Sequence, residues 1–174
     1  MNTSIKITSG KFRGRSIKTP GSSLTHPMGN REKLALFNII SEYLLDAKIL
    51  DAFAGSGALG IEAISRGASE VVFVEKNAKA CKVIQDNLKD LDVKADIFRG
   101  DVLIFVSNDV FDVVLADPPY DKFDIEAVQY LSRFVKDGGV LVLSHPDEGP
   151  ELPGLSLIKS KKYAAAHLSV YAKK

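Results

Sequence analysis

Lys48-Ile-Leu-Asp51-Ala-Phe-Ala-Gly55-Ser-Gly57-Ala-Leu-Gly60 is the stretch that decides the fold of this chain. A short apolar run ends in a carboxylate, opens into three closely spaced glycines and resumes as a helical pattern reaching about Arg66. Strand, glycine turn and helix in that order begin a doubly wound α/β sheet, in which ligands bind beyond the carboxyl ends of the strands. Further β-rich runs at 71–75, 94–98, 112–117 and 139–144 alternate with helical patterns, so together with 48–53 they predict a mostly parallel sheet. Gly55, Gly57 and Gly60 satisfy G-x-G-x-x-G and Glu75 closes the next strand, which makes a nicotinamide dinucleotide the first ligand to weigh. Asp51 points elsewhere. Four residues before the first glycine it would face the ligand, repelling a pyrophosphate and attracting an ammonium or sulfonium.

Working outward, Leu34, Phe37, Ile40 and Leu44 repeat at helical spacing and predict a helix over 30–46 that covers the sheet. Ahead of it, Ile5 to Thr8 and Arg15 to Thr19 flank Gly10 to Gly14 and read as a β-hairpin too small for a core of its own. The expected division is therefore a basic hairpin appendage over 1–29 and a sheet domain over 30–174. After Asn77, a candidate N-cap, Ala80, Ile84, Leu88 and Leu91 share one helix face. Cys81 on that helix reads as a structural thiol, with no cationic partner evident beside it. At the far end, Leu155 to Lys159 and His167 to Tyr171 read as an antiparallel pair closing the sheet edge, with His145 and His167 assigned to strand structure.

At 174 residues the chain has the length of one domain, and 45% apolar with 26% charged residues is ordinary for a globular protein. One cysteine closes no intrachain bridge and no Cys/His cluster has metal-ligand spacing, so no metal is expected and a cytoplasmic setting is. The first residues lack an apolar signal core and no apolar run approaches the ~20 residues of a membrane span. The net charge of +1 hides an asymmetry: Lys6, Lys11, Arg13, Arg15, Lys18 and Arg31 precede the first acid, Glu32. Such an end attracts phosphate-bearing partners, although a merely solvated basic hairpin has the same composition.

A second motif, Asp117-Pro118-Pro119-Tyr120, follows the predicted strand 112–117. Proline fixes its own φ and restricts the residue before it, so this loop presents its groups stiffly. The Asp117 carboxylate and the Pro118 carbonyl form a two-acceptor fork that matches the two N–H bonds of an exocyclic base amine. Tyr120 offers a face on which an extruded base can stack. Glu75 can accept two ribose hydroxyls and Asp101, after the third strand, an adenine amino group. Acids at successive strand ends suit a positively charged nucleoside.

Asp51 to Gly57, Glu75, Asp101, Asp117 to Tyr120 and Lys136-Asp-Gly-Gly-Val140 resemble the motif series of S-adenosylmethionine-dependent methyltransferases of the seven-stranded Rossmann-like class. Ile7-Thr-Ser-Gly-Lys-Phe-Arg-Gly-Arg15, His26-Pro27, Arg31 and Leu36-Phe-Asn38 narrow this. With them the chain resembles the bacterial small-subunit ribosomal RNA guanine-N2 methyltransferases of the RsmD type. The likeness spans nearly the whole chain, to Lys162-Tyr163 and Leu168-Ser-Val-Tyr171. It departs where the family reads Arg-Pro-Thr-Thr-Asp-Arg and this chain reads His26-Pro-Met-Gly-Asn-Arg31, and where Ala164 replaces a common glycine.

The resemblance implies a seven-stranded, mostly parallel, doubly wound sheet with the antiparallel C-terminal pair and the small hairpin. It implies S-adenosylmethionine as cofactor and S-adenosylhomocysteine as product. Asp51 with Gly55, Ser56 and Gly57 would cradle the methionine portion, Glu75 the ribose and Asp101 the adenine, with Phe53, Lys76 and Val102 also among the cofactor-binding residues. Asp117, Pro118, Pro119 and Tyr120 would hold the target guanine. Lys11, Arg13, Arg15, Lys18 and Arg31 would contact small-subunit ribosomal RNA, within a 30S particle, with the protein acting as a monomer. A DNA adenine-N6 methyltransferase shares the tetrapeptide. A protein-glutamine methyltransferase usually carries Asn where this chain has Asp117. An NAD-binding or noncatalytic Rossmann protein is the remaining alternative.

Overall fold

Apolar runs buried on both faces set the centre of the sheet, and everything else packs against it. In the computed structural model, which describes residues 4–21, 28–147, 149–163 and 167–174, a hairpin of β1 (Ser4–Lys6) and β2 (Ser16–Lys18) precedes α1 (Asn30–Ile39). There follow β3 (Lys48–Ala52), α2 (Ala58–Ser65), β4 (Glu70–Glu75), α3 (Ala78–Asp90), β5 (Asp96–Arg99) and β6 (Phe111–Ala116). The chain continues through α4 (Ile125–Ser132), β7 (Val135–His145), β8 (Leu155–Lys162) and β9 (His167–Lys173). His26, Pro27 and Ala164 lie outside the described residues.

The seven strands run in the order β5-β4-β3-β6-β7-β9-β8. Pairing is parallel from β5 through β7 and antiparallel for β7 with β9 and β9 with β8. Because β3 is flanked by β4 on one side and β6 on the other, the strand order reverses there, and a crevice opens at the carboxyl ends of β3 and β6. Ala52 pairs with Ala116, so the loops that follow these two strands leave the sheet side by side.

One face of the sheet is covered by α1, α2 and α3, with Leu36, Phe37, Ile61 and Ile84 packed on Ile49, Val113, Val142 and Val170. The other is covered by α4 and the turn at Val102–Ile104, with Val128 and Leu131 on Val114 and Leu141. Asn77 caps α3 as expected, accepting from the N–H groups of Lys79 and Ala80.

Four expectations are corrected. The helix predicted over 30–46 ends at Ile39 and gives way to a 3-10 turn at Ser41–Tyr43, because the chain must reverse into β3. Its inward face is Lys33, Leu36 and Phe37, while Leu34 is 42% exposed. The strand predicted at 94–98 starts at Asp96, an edge position, and β8 runs on through Lys162 where a connecting loop was expected. The hairpin is docked rather than appended: Ile7 and Ile17 belong to the core cluster under α1 and α2. Thr8 and Ser9 donate their backbone N–H groups to the Glu62 carboxylate at 2.9 and 3.0 Å. No helix among the described residues is long and apolar enough to cross a membrane.

Candidate active site

Asp51 lies one residue before the end of β3 and is 1% exposed, so it lies beneath the glycine loop and does not line the open crevice as the sequence led us to expect. Its Oδ2 accepts the N–H of Gly60 at 2.8 Å, in the first turn of α2, where the helix dipole favours an anion. A Cβ on Gly60 would stand 2.3 Å from the Phe73 ring and 3.0 Å from this carboxylate, so only glycine permits the approach. Burial pushes the Asp51 carboxyl up to about 7; the Gly60 N–H opposes this, and the charges of Asp117 and Glu75 add to it. The three acids lie on adjoining strands, with Asp51 in β3 between Glu75 at the tip of β4 and Asp117 just after β6.

The glycine loop is held from both sides. Gly57 caps α2 in the left-handed region at φ +79, and Phe53, a non-glycine, sits there at φ +71. A side chain in that region costs roughly 1–2 kcal/mol, so the surrounding bonds must impose it. Ala54 N–H donates to the Val74 carbonyl at 3.0 Å and Gly57 N–H to the Ala54 carbonyl at 2.7 Å. Ser56 is buried, and its carbonyl accepts from Asn87 Nδ2 at 3.2 Å. At the tip of β4, Glu75 accepts from the N–H groups of Gly55 at 2.8 Å and Asn77 at 2.7 Å, which fixes the carboxylate while leaving lone pairs on each oxygen. Asp101 caps the next turn through the Leu103 N–H at 3.1 Å and pairs with Lys76 at 3.3 Å, both side chains partly exposed. Val102 is buried in the core beneath them.

On the other side of the switch point, Asp117 follows β6, Pro118 is buried, and Pro119 and Tyr120 are exposed. Burial raises the Asp117 carboxyl to about 6, while a hydrogen bond from Ser144 draws it down. Ser144 also bonds the Tyr120 hydroxyl. Ser144 Oγ therefore stands between the Tyr120 hydroxyl and the Asp117 carboxyl, and in the Tyr120–Ser144 pair either hydroxyl can donate. Burial raises the Tyr120 phenol, the bond to Ser144 opposes this, and the charges of Asp117 and Glu32 add to the rise. The relay Tyr120 to Ser144 to Asp117 locks the orientation of a ring that is 37% exposed. Arg31 is exposed on the first turn of α1.

With this geometry in view, a family model described as conserved hypothetical protein 95 matches residues 5–172. The chain belongs to this family. It is 31% identical over 184 aligned residues to YlbH of Bacillus subtilis, covering 98% of this chain and 100% of that one. It is 34% identical over 121 residues to the ribosomal RNA small subunit methyltransferase D of Escherichia coli, an alignment spanning 68% of this chain and 61% of that relative. The solved structure of yhhF from Escherichia coli superposes with a TM-score of 0.88 at 26% identity, covering 99% of each chain.

Within this conserved hypothetical protein 95 member, Gly55, Glu75, Asp101 and the Asp117 to Tyr120 corner follow the carboxyl ends of the adjoining strands β3, β4, β5 and β6, with Asp51 and Val102 buried beneath them, whereas the expected RNA contacts divide. Lys11 and Arg13 sit at the hairpin tip, where the Lys11 N–H donates to the Ser65 carbonyl at the C-terminal end of α2, roughly 12 Å along that eight-residue helix from the glycine loop. Lys18 pairs with Asp90 at 2.7 Å and Arg15 donates to the Asp90 carbonyl at 2.5 Å, at the far end of α3. Three residues escaped the sequence reading. Ser144 is a polar residue inside an apolar strand, Asn87 a polar residue at the buried margin of an amphipathic helix, and Glu62 a charge at a core position. Nothing in their spacing announces them. Cys81 is buried, its Sγ 3.2 Å from the Glu75 carbonyl, and burial pushes the thiol up. His145 bonds Ser169 at 2.8 Å and stacks on His167 within the strands.

Proposed function

We propose that this chain transfers the methyl group of S-adenosylmethionine to the exocyclic N2 amine of a guanine in small-subunit ribosomal RNA, leaving S-adenosylhomocysteine. One observation carries the reading: Asp51, Glu75 and Asp117 stand at the adjoining carboxyl ends of β3, β4 and β6, beside a tyrosine whose hydroxyl bonds Ser144. Asp51 is raised by burial and by two neighbouring acids, so a positive charge entering the crevice relieves it. That fits a sulfonium and does not fit a pyrophosphate.

S-adenosylmethionine, when bound, supplies a methyl group on a positively charged sulfur. The backbone of Gly55 to Gly57 and the buried Asp51 would hold its amino-acid portion, Glu75 its ribose, and the Lys76–Asp101 pair the edge of its adenine. Asp117 and the Pro118 carbonyl accept the two N–H bonds of the guanine amine, which turns the nitrogen lone pair out of the ring and toward the methyl. Tyr120 stacks on the extruded base, its ring fixed by the hydroxyl bond to Ser144. As positive charge moves onto the nitrogen, the ionised Asp117 stabilises it until a proton leaves. Alignment and charge placement are the main catalytic effects. The basic end, chiefly the exposed Lys11, Arg13 and Arg31, would contact RNA of the small subunit, with one copy of the chain acting on a 30S particle in the cytoplasm.

The test presents the protein and labelled cofactor with small subunits, bare ribosomal RNA and duplex DNA. N2-methylguanosine in the small-subunit RNA is the expected product. Label in DNA adenine, or affinity for NAD without transfer, overturns the reading. Asp117→Ala is expected to slow transfer by on the order of 100-fold, and activity within a few-fold of wild type would reject the carboxylate's role.

A further inference from the structure

The hairpin is not the only acid-free end of the chain. Residues 155–174 carry Lys159, Lys161, Lys162, Lys173 and Lys174 and no Asp or Glu, so 12 of the 23 cations are left between the two ends to face all 22 acids. Most of this second basic end is strand β8, the exposed edge of the sheet.

Register decides where its lysines point. Ser144 pairs with Leu168 and Leu168 with Lys161; Val142 pairs with Val170 and Val170 with Lys159. Residues paired directly across strands share a face, so Lys159 and Lys161 lie on the face that carries Ser144, two strand spacings or roughly 10 Å away. They owe this to an irregularity. The register shifts between Leu157 and Lys159, leaving Ile158 as the extra residue. Leu157 pairs with Tyr171, on the α4 face, and simple alternation would put Lys159 and Lys161 there too. The bulge turns both to the side of the Tyr120–Ser144–Asp117 corner. Re-aiming side chains near an active site is a known use of such bulges. Arg31, exposed on the first turn of α1, projects from the helix covering the same face.

Lysines on an edge strand also discourage strand-to-strand aggregation. That role needs charge anywhere along the strand, and here Leu157 and Ile158 remain about half exposed beside the lysines. It does not account for a bulge that selects one face.

We infer that Lys159 and Lys161, continued by Arg31, form a binding strip for the phosphodiester backbone of single-stranded RNA next to the target base. The inference rests on the proposed RNA substrate and places the contacts nearest the chemistry on β8. The hairpin tip lies at the opposite end of α2.

The probe is a labelled, mixed-sequence single-stranded RNA of about 20 nucleotides, with affinity measured from 50 to 200 mM salt. The Lys159→Glu/Lys161→Glu variant is expected to bind at least 10-fold more weakly at 100 mM salt. Its log-log salt slope should be shallower by about 1.4, from about 0.7 per lost phosphate contact. Lys162→Glu alters an exposed lysine on the other face, paired with His167, and should leave the slope unchanged. Affinity for S-adenosylhomocysteine, measured by calorimetry, should match wild type in every variant and certifies the fold. A wild-type slope in the double variant, or equal flattening by Lys162→Glu, overturns the strip while the methyltransferase reading stands. A wild type that does not bind this RNA also overturns the strip, whereas the methyltransferase reading fails only if small subunits and bare ribosomal RNA receive no methyl group. A dimer at assay concentration that dissolves in Ile158→Lys, with RNA affinity unaffected, assigns the edge to a second copy and likewise overturns it.

Discussion

Cofactor affinity should depend steeply on pH, and the charge on sulfur should be the reason. Asp51 is raised to about 7 because it is buried beneath the glycine loop with Asp117 and Glu75 as neighbours and the Gly60 N–H in opposition. A ligand that needs the ionised carboxyl loses affinity by the factor 1 + 10^(pKa − pH), about 11 at pH 6 and about 1.1 at pH 8. S-adenosylmethionine should therefore bind about 10-fold more tightly at pH 8 than at pH 6. Asp117, raised to about 6, steepens the lower part of the range by up to about two-fold at pH 6. S-adenosylhomocysteine shares the amino acid, ribose and adenine but has a neutral sulfur, so the ratio of the two affinities isolates the sulfonium. Titration calorimetry at pH 6, 7 and 8 with both ligands measures it. Asp51→Asn keeps an acceptor for Gly60 and should flatten the ratio. Equal pH dependence for both ligands, or an unchanged profile in Asp51→Asn, would refute the assignment of Asp51 as the group that senses the positive charge.

Three further outcomes follow from the same geometry. A carboxyl with a raised folded pKa makes the folded state bind more protons than the unfolded one between about 4 and 7, so stability falls as pH rises through that window. Without ligand, Asp51→Asn should be the more stable protein at pH 8 by about 4 kcal/mol, from about 1.4 kcal/mol per pKa unit, the gap closing by pH 4 in urea titrations. Ser144→Ala removes the bond that lowers the Asp117 carboxyl, so the acidic limb of the pH–rate profile should move to higher pH and transfer fall roughly 10-fold; an unmoved limb would deny the relay. Glu62→Gln leaves buried Lys33 without its counterion and should cost about 3–5 kcal/mol in chemical denaturation; a loss under about 1 kcal/mol would show that the pair does not need its charge.

What the sequence disclosed and what it hid divide along physical lines. Strands β3 and β6 were readable because burial on both faces demands continuous apolar runs, and the glycines between β3 and α2 mark a turn few other residues can make. The end of α1 was hidden because its inward face includes Lys33, so apolar spacing selected the exposed Leu34 instead. Asp101 is both a cap and a crevice acid, two roles one residue can fill without changing its sequence context. Ser144 is illegible in principle: its role depends on β7 lying next to β6, which strand pairing supplies and local sequence does not. The length of β8 was missed for a similar reason, since lysines on an edge strand read as loop until the register is known.

The eight residues of α2 join functions that the sequence presents as separate. At its start, Gly60 is bound by Asp51 beneath the cofactor loop. In its middle, fully buried Glu62 takes Thr8 N–H, Thr8 Oγ1 at 2.7 Å, Ser9 N–H and Arg66 Nε at 2.9 Å, with Lys33 Nζ at 3.3 Å. At its end, Ser65 Oγ accepts the Phe12 N–H at 3.0 Å. Burial alone would push the Glu62 carboxyl up, yet these donors hold it below its ordinary value, so it stays ionised at neutral pH. A buried ion pair gives little stability over a well-packed apolar pair. Its directional bonds do, however, fix the hairpin to one orientation on α2, which an apolar patch would leave free to slide. Asn87 repeats the arrangement from α3, joining Lys18 of the hairpin at 2.8 and 3.0 Å to the Ser56 carbonyl of the loop.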